Sequence, residues 1–269
     1  MSLNLNDSVS TAVLDIRQAL ARTSVVGALG WQDIRQRYKR SALGPFWLTI
    51  SMGILIMTIG IVFGRLFKAP ASEFLPFLAC GLILWGFIAT VVNDGCRGFI
   101  SAEGMIKQLP LPLFMHVMRL IWRNMLMTAH NLIILPVVML VVGKPASWTL
   151  ILSLPGVVLM TLNLTWIVLI LSVVCARYRD LPQLVGSVIQ VLFYLTPVIW
   201  MPSLMPERAG ALLIGLNPAF HLIEVVRAPL LGNVPALQSY LVCLILAVLG
   251  WIAALLIYGR FKTRVAYWL

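Results

Sequence analysis

Six long apolar runs constrain this chain more than anything else in it; they occupy residues 46–66, 74–92, 113–142, 149–176, 184–201 and 236–258. Crossing the hydrocarbon of a bilayer as a helix takes about 20 apolar residues, because lipid offers no partner to an unpaired backbone N–H or C=O. The runs are unbroken instead of alternating, which suits helices and not barrel strands. Composition agrees: 61% of the 269 residues are hydrophobic and 11% are charged, against about 45–50% and about 25% in a soluble domain. The expected fold is all-α, one membrane domain over residues 1–269 with six spanning helices. Within it, 1–42 forms a cytoplasmic amphipathic interface region and 43–269 the six-helix bundle. The third and fourth runs exceed what a crossing needs, so each should project beyond the membrane at one end. Pro45 precedes the first run, where a fixed φ and a missing N–H suit a helix start. The first forty residues lack the short apolar core and cleavage site of a signal peptide.

Basic residues set the orientation. With six crossings, the N-terminus, the 93–112 and 177–183 loops and the C-terminus share one side. That side carries fifteen Lys and Arg, the other five, which accounts for all 20. Positive charge stays cytoplasmic, so both termini are expected in the cytoplasm. The formal net charge of +11 then belongs to a collar at the membrane surface and not to a nucleic-acid interface.

Enzymatic chemistry has little to work with. No two of the nine acidic residues pair at a spacing of three or four, and none stands in mid-span. This disfavours both a metal-dependent membrane transferase and an ion-coupled carrier, which place ionisable groups within the membrane. Cys80, Cys96, Cys175 and Cys243 read as small hydrophobes, and His116, His130 and His221 make no metal cluster. Val142-Gly143-Lys144-Pro145 lacks the upstream glycine and the hydroxyl of a phosphate loop. If ATP drives this protein, another chain binds it.

Three segments are too polar or too short to span. In the first, Val9, Val13, Ile16 and Leu20, then Trp31, Ile34 and Tyr38, recur at helical spacing among basic residues, which describes amphipathic helices along the interface. The second is the loop 93–112, with Arg97, Glu103 and Lys107 in a short helix over 97–108 that Pro110 and Pro112 stop. It is either a plain connector or a rigid piece that takes a push from a soluble partner. The third lies between Met201 and Ala236, where prolines cut two pieces of about half a span each. The second piece opens with Asn217-Pro218, a good cap and first position. These two short helices are expected to be re-entrant or interfacial.

Two sets of side chains are candidates for handling a ligand. His116, Arg119, Arg123 and His130 share one face of the third helix. The two arginines either snorkel to the interface or receive an anionic head group such as a diphosphate. The aromatic residues Trp47, Trp85, Phe87, Phe193, Tyr194 and Trp200 form either interfacial belts or stacking surfaces for sugar rings.

The run Trp31-Gln32-Asp33-Ile34-Arg35-Gln36-Arg37-Tyr38-Lys39-Arg40-Ser41-Ala42-Leu43-Gly44-Pro45-Phe46-Trp47 resembles the approach to the first span in ABC-2 type permeases that export O-antigen and related polysaccharides. Residues 217–227, Asn-Pro-Ala-Phe-His-Leu-Ile-Glu-Val-Val-Arg, are similar to that family's segment before its last span. Teichoic-acid exporters are close relatives of this branch. The resemblance implies a homodimer paired with two copies of an ATP-binding subunit, which would hold ATP and Mg; this chain would bind no cofactor or metal of its own. It implies a channel for an undecaprenyl-diphosphate-linked polysaccharide across the bacterial inner membrane. By that likeness Arg97, Glu103 and Lys107 couple to the ATPase. Arg35, Arg37 and Arg40 join Arg119 and Arg123 where the lipid diphosphate approaches, and Pro206, Pro218, His221 and Glu224 belong to an external gate. The six aromatic residues would line the channel, and no catalytic residue is implied.

Overall fold

The computed structural model describes residues 5–39, 44, 46–145, 147–204 and 214–269. Within these residues the regular structure is helical throughout. The helices are α1 (Leu5–Leu20), α2 (Thr23–Tyr38), α3 (Phe46–Phe67), α4 (Ala71–Cys96), α5 (Glu103–Gln108) and α6 (Phe114–Leu132). They continue as α7 (Ile134–Val142), α8 (Ser153–Arg177), α9 (Leu181–Leu195), α10 (Pro218–Leu230) and α11 (Leu237–Trp268).

Five elements among the described residues are long and apolar enough to cross a membrane: α3, α4, α6 with α7, α8 with the 3-10 turn before it, and α11. The fifth expected span differs. Its helix stops at Leu195 instead of running on to 201, leaving 15 residues, because Thr196 is extended ahead of Pro197. A residue before proline is pushed out of the helical region, and the ring supplies no N–H. At about 1.5 Å per residue, α9 alone falls short of a hydrocarbon layer about 30 Å thick. The third run breaks at Ile133, where Pro136 three residues on has no N–H for the carbonyl of Leu132. The last helix runs ten residues past the expected end at 258. The segment expected as one helix over 97–108 is a 3-10 turn, Ile100–Ala102, followed by the six-residue α5.

Helix α4 is the axis of the bundle, touching α3, α6, α7, α8, α9 and α10. Leu78, Ala79 and Val91 on it are fully buried. Small residues allow the closest crossings, as expected where lipid gives helices no hydrophobic reason to associate. A Cβ on Gly250 of α11 would lie 2.1 Å from the indole of Trp166 on α8, so only glycine fits there. The same crossing is tied by Asn163, whose amide donates to the Cys243 carbonyl at 3.0 Å and accepts from Trp166 Nε1 at 3.1 Å.

The amphipathic start packs onto the bundle through an unexpected face. Ser8, Ala12, Asp15 and Ala19 are the buried side of α1, whereas Val13 and Leu20 of the expected apolar stripe are exposed. Asp15 explains why. Its carboxylate accepts from the backbone N–H of Phe114 at 3.0 Å and of Leu113 at 3.3 Å, at the N-terminus of α6. It also accepts the Tyr258 hydroxyl at 2.5 Å and pairs with Lys262 Nζ at 2.9 Å, both on α11. A negative charge at a helix N-terminus is favoured by the dipole and by the unpaired N–H groups. One buried acid therefore joins α1, α6 and the end of α11. The end of the bundle that holds α1, α5 and the end of α11 is called basal below, and the other end distal.

Candidate functional site

Three groups of polar side chains stand in this apolar bundle, and they differ in whether the chain satisfies them. At the basal end, Arg119 of α6 forks onto Asp33 of α2, with Nε 2.7 Å from Oδ2 and Nη2 bonded to Oδ1. Arg123, one turn on, donates to Asp94 at the end of α4 at 2.6 Å and lies 3.6 Å from Asp33. Asn124 donates to the same Asp94 oxygen at 3.0 Å. Arg119 also reaches the Met105 sulfur of α5 at 3.4 Å. A cavity of about 610 Å³ opens here, lined also by Arg37, Arg97 and His116. The buried atoms Arg123 Nε, His116 Nε2 and Tyr38 Oη have no partner among the described residues.

The two arginines expected to receive an anion are thus already paired with carboxylates. Pairwise reading of neighbours could not find this, since Asp33 precedes Arg119 by 86 residues and Asp94 precedes Arg123 by 29. Arg35 is exposed, Arg37 lines the cavity, and Arg40 lies outside the described residues. Of the three expected coupling residues, Arg97 caps α4 and faces the cavity. Glu103 and Lys107 bond each other across one turn of α5 at 2.7 Å, exposed to solvent. The Lys107 ammonium holds the Glu103 carboxyl below the usual carboxylate range.

The distal group centres on α10, which inserts between α4, α8 and α11. Asn217 caps it, accepting from the N–H groups of Ala219 and Phe220 while its amide donates to Thr196 at 2.9 Å. His221 is buried between the Ser239 hydroxyl at 3.0 Å and the Gly215 carbonyl at 3.1 Å. A carbonyl only accepts, so Nε2 carries the proton there. Arg227, 1% exposed, bonds Glu224 at 2.7 Å and the Pro197 carbonyl at 2.6 Å, with the Phe77 ring 4.1 Å from its guanidinium carbon. This side chain did not stand out in the sequence, although a lone Arg three residues after Glu224 in an apolar segment is the mark of a buried pair. Pro218 occupies the first turn of α10, and Pro206 lies outside the described residues.

The third group makes only local bonds among the described residues: the Asn93 amide donates to the Ala89 carbonyl at 2.8 Å and the Ser187 hydroxyl to the Gln183 carbonyl at 3.2 Å, each one turn back on its own helix. Helix α9 buries none of its residues. Gln183, Ser187, Gln190 and Tyr194 are exposed at spacings of four, three and four, so they share one face. Beside them α4 exposes Thr90 and Asn93, and α3, packed on the same helix, exposes Ser51 and Trp47. Of the six aromatic candidates, Trp47 and Tyr194 are exposed on this side. Trp200 is half-buried and donates to the Tyr194 carbonyl at 3.2 Å. Phe193 is half-buried against Trp85, ring centroids 5.6 Å apart. Trp85 and Phe87 are buried, and Phe87 lines a cavity of about 290 Å³ together with Ser51 and Thr90.

Known proteins resemble this chain in sequence. The model of the family described as "ABC-2 type transporter" matches residues 24–231. The chain is 22% identical over 215 residues to a Myxococcus xanthus protein named "O-antigen export system permease protein RfbA", covering 79% of this chain and 82% of that one. A Klebsiella pneumoniae protein of the same name is 24% identical over 243 residues, covering 87% and 91%. A match over so much of its length means that this chain belongs to the ABC-2 type transporter family.

Proposed function

We propose that this chain is the membrane-spanning subunit of an ATP-driven exporter, working as a homodimer with two copies of an ATP-binding subunit. Its substrate would be undecaprenyl-diphosphate-linked O-antigen polysaccharide, moved across the bacterial inner membrane. The observation that carries this reading is the exposed polar face of α9, α4 and α3. Hydrocarbon would leave the amides of Gln190 and Asn93 poorly satisfied, whereas a wet, hydroxyl-rich polymer or a second copy of the same face would bond them. Trp47 and Tyr194 on that face suit the apolar sides of sugar rings. Relatives named as O-antigen permeases point the same way.

Topology supports six crossings. Helix α1 packs against the end of α11, so the chain between them passes through an even number of times. Five helices are long enough, and α9 with the turns that follow it would supply the sixth passage. Taking the basal end as cytoplasmic also keeps fifteen of the 20 basic residues inside.

The ATPase would then meet the bundle at α5. Closing of the ATP-bound subunits pushes α5, and Met105 passes the movement to Arg119. From there Asp33 carries it to α2, while Arg123 and Asp94 carry it to α4, the helix that backs the polar face. The two ATPase subunits would supply ATP and Mg, with every hydrolytic step on them. The test is purification of the tagged chain from its own membrane, followed by an ATPase assay. An ATP-binding subunit recovered in equal amount and active supports the exporter. A chain recovered alone and inert would rule out coupling through α5.

A further inference from the structure

A second cavity, of about 540 Å³, lies between the α1–α2 elbow and helices α6, α8 and α11, and no residue of α9 lines it. Its lining is almost wholly apolar: Ile16 and Leu20 of α1, Met118 and Trp122 of α6, Leu162 of α8 and Trp251 of α11 all contribute. On the apolar stripe of α1, Leu20 is exposed and Ile16 is only half-buried. Above the groove, Leu154, Val158 and Leu162 continue the exposed side of α8. The groove is therefore continuous with the surface that meets lipid chains.

Charge marks one end of it. Arg22 stands in the elbow between Leu20 and Thr23, which both line the groove, and Arg17 follows Ile16. Both arginines are exposed, and neither side chain makes a hydrogen bond or ion pair among the described residues. An unpaired basic pair beside an apolar slot complements a ligand with an anionic head and a hydrocarbon tail. We infer that this groove binds one anionic phospholipid of the surrounding leaflet, its acyl chain against Trp122 and Trp251 and its phosphate at Arg17 and Arg22. The bound lipid wedges the α1–α2 elbow against α6 and α11. None of the polar face on α9 takes part, so the site stands apart from the proposed export path and does not depend on what is exported.

The test uses the full chain, with whatever subunit accompanies it, stripped in detergent and titrated with phosphatidylglycerol or phosphatidylcholine of equal chain length. Native mass spectrometry counts the lipid retained. The wild type should hold phosphatidylglycerol in preference to phosphatidylcholine. Arg17→Ala with Arg22→Ala should lower phosphatidylglycerol retention about thirtyfold, the effect of two basic residues near an anionic head. Gly27→Leu should abolish retention of both lipids, because Gly27 lines the groove and a Cβ there meets nothing within 4 Å. Should Gly27→Leu fail to fold, the exposed arginine pair still decides the matter. Equal retention of the two lipids by wild type would overturn the inference, as would undiminished retention by either variant. An undecaprenyl phosphate that displaces phosphatidylglycerol one for one and binds more tightly would overturn it too, since the occupant would then be the export substrate's lipid.

Discussion

Helices α9 and α10 are near neighbours in the chain, both short and apolar, and they solve opposite problems. Helix α10 buries nine of its thirteen residues, with His221 and Arg227 among them. Every strong polar group on it finds a partner inside the chain. Helix α9 buries none of its fifteen residues and turns Gln183, Ser187, Gln190 and Tyr194 outward. The contrast separates two uses of polarity in a membrane. Satisfied internally, it locks a short helix in position; unsatisfied, it announces a surface that something else must complete.

Removing the lock should have the largest effect on this contrast. Arg227→Leu leaves Glu224 and the Pro197 carbonyl without their donor, and should cost about 3–5 kcal/mol, read as a large drop in the melting temperature of the purified chain. An unchanged melting temperature would mean that α10 is held by its apolar side chains alone. Gly156→Ala is next. Its Cβ would lie 2.2 Å from the Val225 carbonyl of α10, so α8 and α10 must separate, at about 1–3 kcal/mol in the same assay. Asp33→Asn sharpens a different part of the comparison, since Arg119 and Arg123 are also paired with carboxylates inside the chain. Loss of the charged partner of Arg119 should cost about 1.5 kcal/mol. It should also lower export per ATP hydrolysed, because α2 no longer follows α5. Export still tightly coupled to hydrolysis in that variant would remove Asp33 from the relay.

The smallest stability changes belong to α9. Gln190→Leu and Tyr194→Ala alter exposed positions and should shift stability by no more than about 0.5 kcal/mol. Export should nevertheless fall several-fold in both. A melting temperature that falls as far for Gln190→Leu as for Arg227→Leu would break the comparison, for α9 would then be an internally satisfied helix like α10. Full export by both variants would remove the polar face from the substrate path.

Much of this was legible in the residues. The apolar runs foretold helices at the right places, Pro110 and Pro112 foretold the end of α5, and Asn217-Pro218 foretold the start of α10. Local effects govern all of these, and local effects act on neighbours in the chain. Pro197 stands inside the fifth run, yet the apolar residues around it drew the expected span on to 201. Hydrophobicity registers burial in lipid, but it is blind to a break in the backbone ladder. The candidate site was less legible. The arginines of α6 were visible, whereas their carboxylates stood on other helices, so the same residues read as free cations. Asp15 was hidden the same way: nothing near it in the chain hints at Tyr258, Lys262 or the N-terminus of α6.

The sequence by itself determined that this chain lives in a bilayer, because no soluble fold can cover so much apolar surface, and that it is helical, because lipid leaves backbone groups no other partner. The tertiary structure alone decided which polar groups face inward and which remain open. That choice depends on contacts between residues dozens to hundreds of positions apart, and only packing brings those together.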